Sequence, residues 1–451
     1  MTRRLTAALI LATLLAIASR LPSALRPPEG GDLATPEPSS SRGLPAGRFG
    51  LFGQQIAALG SRSARPDGDT RARTAQALQD LSAVRLTGDP SHYARAEALL
   101  RQAHAAAPED PDTLVGLGML ALSRHAFAEA LAWGERAVAA APYRAAAYGV
   151  LVDARVELGR YDEAIEALQR MLDLRPDQSS YARASYLREL HGDLPGAIEA
   201  MQLAVESAPP GGEPTEWARV HLGHLYFASG DVEAAEAAYR QALAYLPDYP
   251  HATAGLARVA AARGDNPTAI RLYAEATQLV PFPEYVVQLA DVYRAAGRPD
   301  QAEPQEALVR TMEQLYAANG VDTDLEMALF DADRGVEVER AVERLRGQWS
   351  WRPSVQVADA LAWALYVHGD CPEADRFAHE ALRLGTRDAL THFHAAKIAL
   401  CLGDRDRAGS LLGQALSPNR SFSLRYATEA EELLRSLGTS PPTRQTLPRG
   451  R

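Results

Sequence analysis

Six prolines punctuate this 451-residue chain at nearly constant intervals: Pro108, Pro142, Pro176, Pro209, Pro247 and Pro281, separated by 34, 34, 33, 38 and 34 residues. A recurrence of this length, with a helix stop at the end of each segment, constrains the fold more tightly than composition does. A unit of about 34 residues cannot bury an apolar face alone, so neighbouring units must share their faces in a stack. The expected fold class is all-α, a superhelical solenoid of about ten helix-turn-helix repeats closed by a C-terminal capping helix.

The clearest unit runs from Glu216 to Pro247. With Glu216 as position 1, Leu222 and Gly223 occupy positions 7 and 8, Tyr226 position 11 and Gly230 position 15. Ala235, Tyr239, Ala242 and Pro247 follow at 20, 24, 27 and 32. Small residues at 8 and 20 let two helices approach closely, while 24 and 27 face the next unit. Glycine at 15 stops the first helix and proline at 32 stops the second. In this pattern the segment resembles the tetratricopeptide repeat (TPR), which implies antiparallel helical hairpins that bind other chains and rarely perform chemistry.

Extended outward, the same frame starts ten units near Ala77, Pro111, Ala145, Gln178, Glu216, Pro250, Pro283, Val321, Val355 and Ala389. Position 20 is Ala96, Ala130, Ala164, Ala197, Ala235, Ala269, Ala302, Arg340, Ala374 and Ala408, and glycine holds position 15 in eight units. The unit from Val321 is degenerate, residues 303–318 read as an overlong second helix, and residues 210–214 read as an inserted loop. Residues 421–437 place Tyr426, Ala430, Leu433, Leu434 and Leu437 at helical spacing opposite charged residues, as a terminal cap requires. The expected organisation is an N-terminal array over 69–318, a C-terminal array with its cap over 319–438, and a disordered tail over 439–451.

At the other end, Arg3 and Arg4 precede an uncharged apolar stretch from Leu5 to Ser19, and Ala16-Ile-Ala18 offers a small-x-small cleavage site. Residues 1–20 therefore read as a secretory signal peptide or an uncleaved signal anchor, with Leu21 to Leu25 able to lengthen the apolar run. Residues 21–68, rich in Pro, Gly and Ser, read as a tether. On either reading the repeats are expected outside the cytoplasmic membrane, periplasmic or otherwise extracytoplasmic, with any membrane attachment made through the N-terminus.

The formal net charge of −10 argues against nucleic acid, because phosphate binding needs a basic stripe. The two cysteines, Cys371 and Cys401, fall toward the same end of the stack in the last two units. A disulfide and a pair of buried thiols both remain open. No catalytic set emerges: there is no G-K-[ST] phosphate loop, no G-x-S-x-G elbow, and His379-Glu380 lacks the second histidine of a zinc protease. His221 and His224 stand three apart on one helix without an evident third ligand, so no metal and no cofactor is expected.

In the TPR pattern, positions 2, 5, 9, 12 and 13 of the first helix line the concave face. By this resemblance, Tyr186, Trp217, Val220, His224 and Phe227 form one candidate partner-binding group, and Trp363, Tyr366 and Phe393 a second. Exposed aromatics make strong interface anchors; the competing reading is that a tight superhelix or the tether covers them. Position 5 carries Leu81, Val115, Gly149, Ala182, Val220 and Ala254, which does not resemble the carboxylate clamp of chaperone-binding TPR domains.

From about Gly88 to Leu437 the chain also resembles a group of exported TPR proteins from high-GC bacteria. The resemblance is carried by residues 88–93 (GDPSHY), 181–186 (YARASY), 188–193 (RELHGD), 328–333 (ALFDAD), 359–366 (DALAWALY) and 384–389 (LGTRDA). It implies fold and export and transfers no site residues. The leading expectation is a non-catalytic protein-protein interaction scaffold or assembly factor at the bacterial cell envelope, gripping a peptide or protein. The alternative is an exported accessory or binding subunit of a transport or enzyme complex, with a small ligand or metal at the histidines.

Overall fold

The computed structural model describes residues 66–438. The N-terminal apolar segment, the tether up to residue 65 and the 439–451 tail lie outside the described residues. Within them there are 21 helices and no strand. They pair as hairpins: α1 (Pro66–Thr87) with α2 (Ser91–Ala106), α3 (Pro111–Ser123) with α4 (Phe127–Ala140), and α5 (Ala145–Glu157) with α6 (Tyr161–Leu174). Then come α7 (Gln178–Leu190) with α8 (Leu194–Glu206), α9 (Glu213–Ser229) with α10 (Val232–Tyr245), and α11 (Pro250–Ala262) with α12 (Asn266–Leu279). The series continues through α13 (Pro283–Ala295) with α14 (Pro299–Ala318), α15 (Asp324–Arg334) with α16 (Val338–Trp351), and α17 (Val355–His368) with α18 (Cys371–Leu382). It ends with α19 (Ala389–Cys401), α20 (Arg405–Leu416) and a short cap, α21 (Ala427–Ser436). This is a tetratricopeptide-repeat solenoid of ten hairpins and a capping helix.

Local chemistry explains the hairpins. The nine alanines at position 20 are all fully buried, each at a crossing where no larger side chain fits. Within the turns, glycine at position 15 adopts positive φ and ends the first helix, as at Gly230 (φ 83°). An aspartate at position 16 then caps the second helix. The Asp193, Asp231, Asp265, Asp370 and Asp404 carboxylates each accept a backbone N–H three residues on, at 3.0–3.2 Å, each worth about 1 kcal/mol. Tyr239, fully buried, lies in the space left by Gly223 on its own hairpin and Gly255 on the next, where a Cβ would overlap its ring.

Several boundaries differ from the sequence reading. Helix α1 starts at Pro66, eleven residues before the expected Ala77 and inside the expected tether. Glu213 and Pro214 belong to α9 rather than to the inserted loop, since Pro is well placed in a first helical turn. In the degenerate unit the buried small residue is Ala341, not Arg340; one extra residue is absorbed in the turn, where Glu337 takes φ 48°. The cap helix begins only at Ala427, because residues 421–426 leave helical geometry to pack inside the superhelix.

The superhelix coils back on itself after somewhat under six repeats. The turn at Arg124 and His125 meets the 320–322 loop, with the Asp322 N–H donating to Arg124 O (3.1 Å) and His125 Nδ1 to Asp322 O (2.6 Å). The Tyr161 hydroxyl accepts the Val355 N–H at 2.9 Å across 194 residues, and Asn419 Nδ2 donates to Phe227 O at 2.6 Å across 192. Gly159, Gly192 and Gly230 sit so close to the next turn that a Cβ would overlap the carbonyl oxygens of Pro353, Gly385 and Pro418. At Gly264, Gly297, Gly335, Gly369 and Gly403 nothing lies within 4 Å, since no further turn covers them.

One joint is looser. Every consecutive pair of helices packs closely except α14 and α15. Helix α14 spans 20 residues and α15 only 11, so the two units meet through long side chains instead: Val286, Val287, Val309 and Met312 against Met327 and Phe330.

Candidate functional site

Coiling decides what becomes of the concave face. The inner helices are buried nearly all round: Thr113 to Ser123 in α3, Thr215 to Gly223 in α9 and Val357 to Leu365 in α17 are unbroken buried runs. The outer helices bury only a stripe, as in α4 with Phe127, Ala130, Gly134 and Ala137. The interior is therefore filled by the protein itself.

Five of the eight residues expected to line a docking groove lie inside the stack. Trp217, Val220, Phe227, Trp363 and Phe393 are buried, none more than 5 % exposed, and belong to hydrophobic clusters of the stack. Trp217 lies against His221, with ring centroids 3.8 Å apart. Arg258 covers Phe227 at 4.3 Å. Trp363 stacks on His394 at 4.2 Å and donates its indole N–H to Asp333 at 2.9 Å, and Phe393 stacks on Tyr426 at 4.9 Å. Tyr186, His224 and Tyr366 are half-buried. The Tyr186 hydroxyl accepts from Gln356 (2.7 Å), His224 shares a hydrogen bond with Tyr239 (2.7 Å), and Tyr366 stacks on Trp363 (5.1 Å). The structure does not bring the eight together on one open surface.

Polar residues on the inner helices pair across the interior. Arg183 grips the Asp153 carboxylate with two N–H groups at 2.8 and 2.6 Å, and burial pushes the Asp153 carboxyl up to about 6 despite the arginine. Arg352 pairs with Glu157 one superhelical turn away, both buried, while its guanidinium lies over Phe127. Arg85 holds Glu213 at 2.8 Å, and Arg425 reaches Asp291 at 2.9 Å. Once two turns meet, each such ion must find a partner, because an unpaired buried charge costs several kcal/mol.

Cys371 and Cys401 form a disulfide, with Cα atoms 6.2 Å apart, joining the start of α18 to the end of α19. His221 and His224 contact each other, with ring centroids 5.2 Å apart, and His221 is held well below the usual imidazole range by burial. Among the described residues no three His, Cys, Asp or Glu side chains are grouped to hold a metal ion, and no helix is long and apolar enough to cross a membrane.

Sequence reasoning missed a cavity at the loose joint. It measures about 50 Å³ and is walled by α13, α14 and α15, with Tyr93, Ser123 and His125 of the first superhelical turn at its far side. Its only sequence signals were the overlong α14 and the degenerate unit after it.

Residues 89–145, 150–212 and 221–282 match the tetratricopeptide repeat family model. Over 285 residues the chain is 28 % identical to the cellulose synthase operon protein C of Xanthomonas axonopodis pv. citri (strain 306), covering 63 % of this chain and 16 % of that protein. The chain thus spans about a sixth of that relative's length. Among solved structures it is similar to TTC0263, a thermophilic TPR protein of Thermus thermophilus (22 % identity, 46 % of this chain and 98 % of that one, TM-score 0.36). It is also similar to PilW, a type IV pilus biogenesis factor (19 % identity, 45 % and 92 %, TM-score 0.37). Proteins built from this repeat generally mediate protein-protein interaction.

Proposed function

We propose that this protein is a non-catalytic scaffold or assembly factor of the bacterial cell envelope that engages a protein partner through its outer helices. The observation that carries the reading is an apolar stripe on the convex surface. Leu203, Tyr245, Leu279, Leu308 and Leu315 are each 37–51 % exposed on α8, α10, α12 and α14. They fall at repeat positions 26, 30, 30, 26 and 33, which share one helix face. Singly exposed apolar residues need no explanation, whereas a row on four neighbouring helices suits an interface. With the interior occupied, this face takes over the role expected of the groove.

Two features support an extracytoplasmic location: the basic start followed by an apolar run in the sequence, and a disulfide of the kind that persists in oxidising compartments. The similarity to a protein named for a cellulose synthase operon favours a second reading of the same surface, an accessory subunit docked on a larger envelope complex.

The test is crosslinking of the full chain in native cells, read by mass spectrometry beside a Tyr245→Glu/Leu279→Glu variant. Loss of one envelope protein in the variant, with helicity intact, supports the convex interface. Equal capture by both forms refutes it.

A further inference from the structure

The cavity at the α14–α15 joint holds an unexplained group. Glu326, on α15, lines it and is 8 % exposed, yet neither carboxylate oxygen has a hydrogen-bond partner. The Tyr316 hydroxyl, from α14, lines the same cavity and is likewise buried without a partner. A buried carboxylate with nothing to bond to is costly, by several kcal/mol if ionised, and such a group in a folded protein asks for a ligand or a solvated space. The remaining wall is mostly apolar: Val287, Val309, Val321, Met327 and Phe330.

The surrounding arginines do not serve Glu326. Arg352 is committed to Glu157, Arg310 to Asp331, and Arg344 to Glu313 at 3.0 Å. Arg352 and His125 both favour the charged form of Glu326, but Arg352 is held by Glu157 and His125 Nδ1 by the Asp322 carbonyl, and neither hydrogen-bonds the Glu326 carboxylate. About 50 Å³ is room for roughly three or four water-sized groups. Half-exposed Pro283, Glu313 and Thr323 lie at the boundary of the cavity, leaving it open toward solvent.

We propose that this cavity is a binding site for a small aliphatic amine, whose ammonium meets the Glu326 carboxylate while its hydrocarbon stem packs on Val287, Val309 and Met327. The Tyr316 hydroxyl is free to accept a second ammonium N–H. A neutral alcohol of the same shape fits the walls but leaves the carboxylate without a counter-charge, and a carboxylic acid sets like charges together. The site lies where repeats seven and eight join, so an occupied cavity ties together the two halves of the solenoid that pack least closely.

The experiment is titration calorimetry of the full chain with n-propylammonium, using n-propanol and acetate, each also of four heavy atoms, as the neutral and anionic controls. The expected result is saturable binding of the amine alone, weakened at least tenfold in Glu326→Gln, equivalent to about 1.4 kcal/mol, and weakened less in Tyr316→Phe. Because the Tyr316 hydroxyl is unpartnered, that second variant keeps its packing and reports even if Glu326→Gln folds poorly. Amine and alcohol binding alike, unchanged affinity in both variants, or no saturable heat with the amine would each overturn the proposal.

Discussion

Replacing Gly230 by alanine separates two reasons for glycine in a repeat turn. Gly230 has φ 83° and Gly264 has φ 78°, so an alanine at either pays the same left-handed penalty of about 1–2 kcal/mol. Only at Gly230 does the new methyl overlap the Pro418 carbonyl oxygen and come within 3.3 Å of its carbon; at Gly264 it meets open space. Relieving the overlap pushes the 418–421 segment away and endangers the 2.6 Å bond from Asn419 to Phe227 O. Phe227 O keeps the Gly230 N–H (3.1 Å), so the group stranded is the buried Asn419 amide, and a buried donor left without its partner costs about 1–3 kcal/mol. The difference between the two variants is therefore about 2 kcal/mol, close to thirtyfold in local opening. A solenoid need not unfold in one step, so the quantity to read is hydrogen exchange at residues 227–231 and 418–426 rather than a single melting temperature. Gly230→Ala should raise exchange in both segments together, although Phe227 and Asn419 lie 192 residues apart, while Gly264→Ala leaves them unchanged. Equal effects of the two variants would mean that the superhelical turns do not touch in solution.

Arg352→Met strands the buried Glu157 carboxylate and should destabilise by about 3–5 kcal/mol, whereas adding Glu157→Gln should restore part of that loss in urea denaturation. Reducing the Cys371–Cys401 disulfide, which spans 30 residues, should cost roughly 3–4 kcal/mol by chain entropy, seen as faster exchange in α18 and α19. In native cells those two cysteines should resist alkylation until reductant is added; labelling without reductant would place the chain in a reducing compartment. Burial holds His251 down at about 4 and His221 well below its usual range. The unfolded chain thus binds these protons first, and stability should fall as pH drops from about 6.5 toward 4. His251→Asn should flatten that slope in pH-dependent denaturation; an unchanged slope would show that His251 is already solvated.

The hairpins were legible in the sequence because each repeat touches only its neighbours, so their signals lie within about 34 residues of one another. Pro247, Gly230, Ala235 and Tyr239 each act through a local cause: a helix stop, a turn, a crossing or a knob. The off-register alanine, Ala341 for Arg340, was not legible, since a one-residue insertion in a turn shifts no proline. Nor was the fate of Trp217, Phe227 and Phe393, which sit at positions that face an open groove in a wide superhelix and a filled interior in a tight one. Which of these forms depends on small rotations accumulated over successive repeats, and on pairs such as Tyr161 with Val355 and Glu157 with Arg352, too far apart for any period to reveal. The sequence by itself determined the stack of hairpins and the places where it starts, turns and stops. Tertiary structure alone decided that the stack closes on itself, buries its aromatic inner face, and leaves a cavity with an unpaired glutamate where two repeats fail to meet.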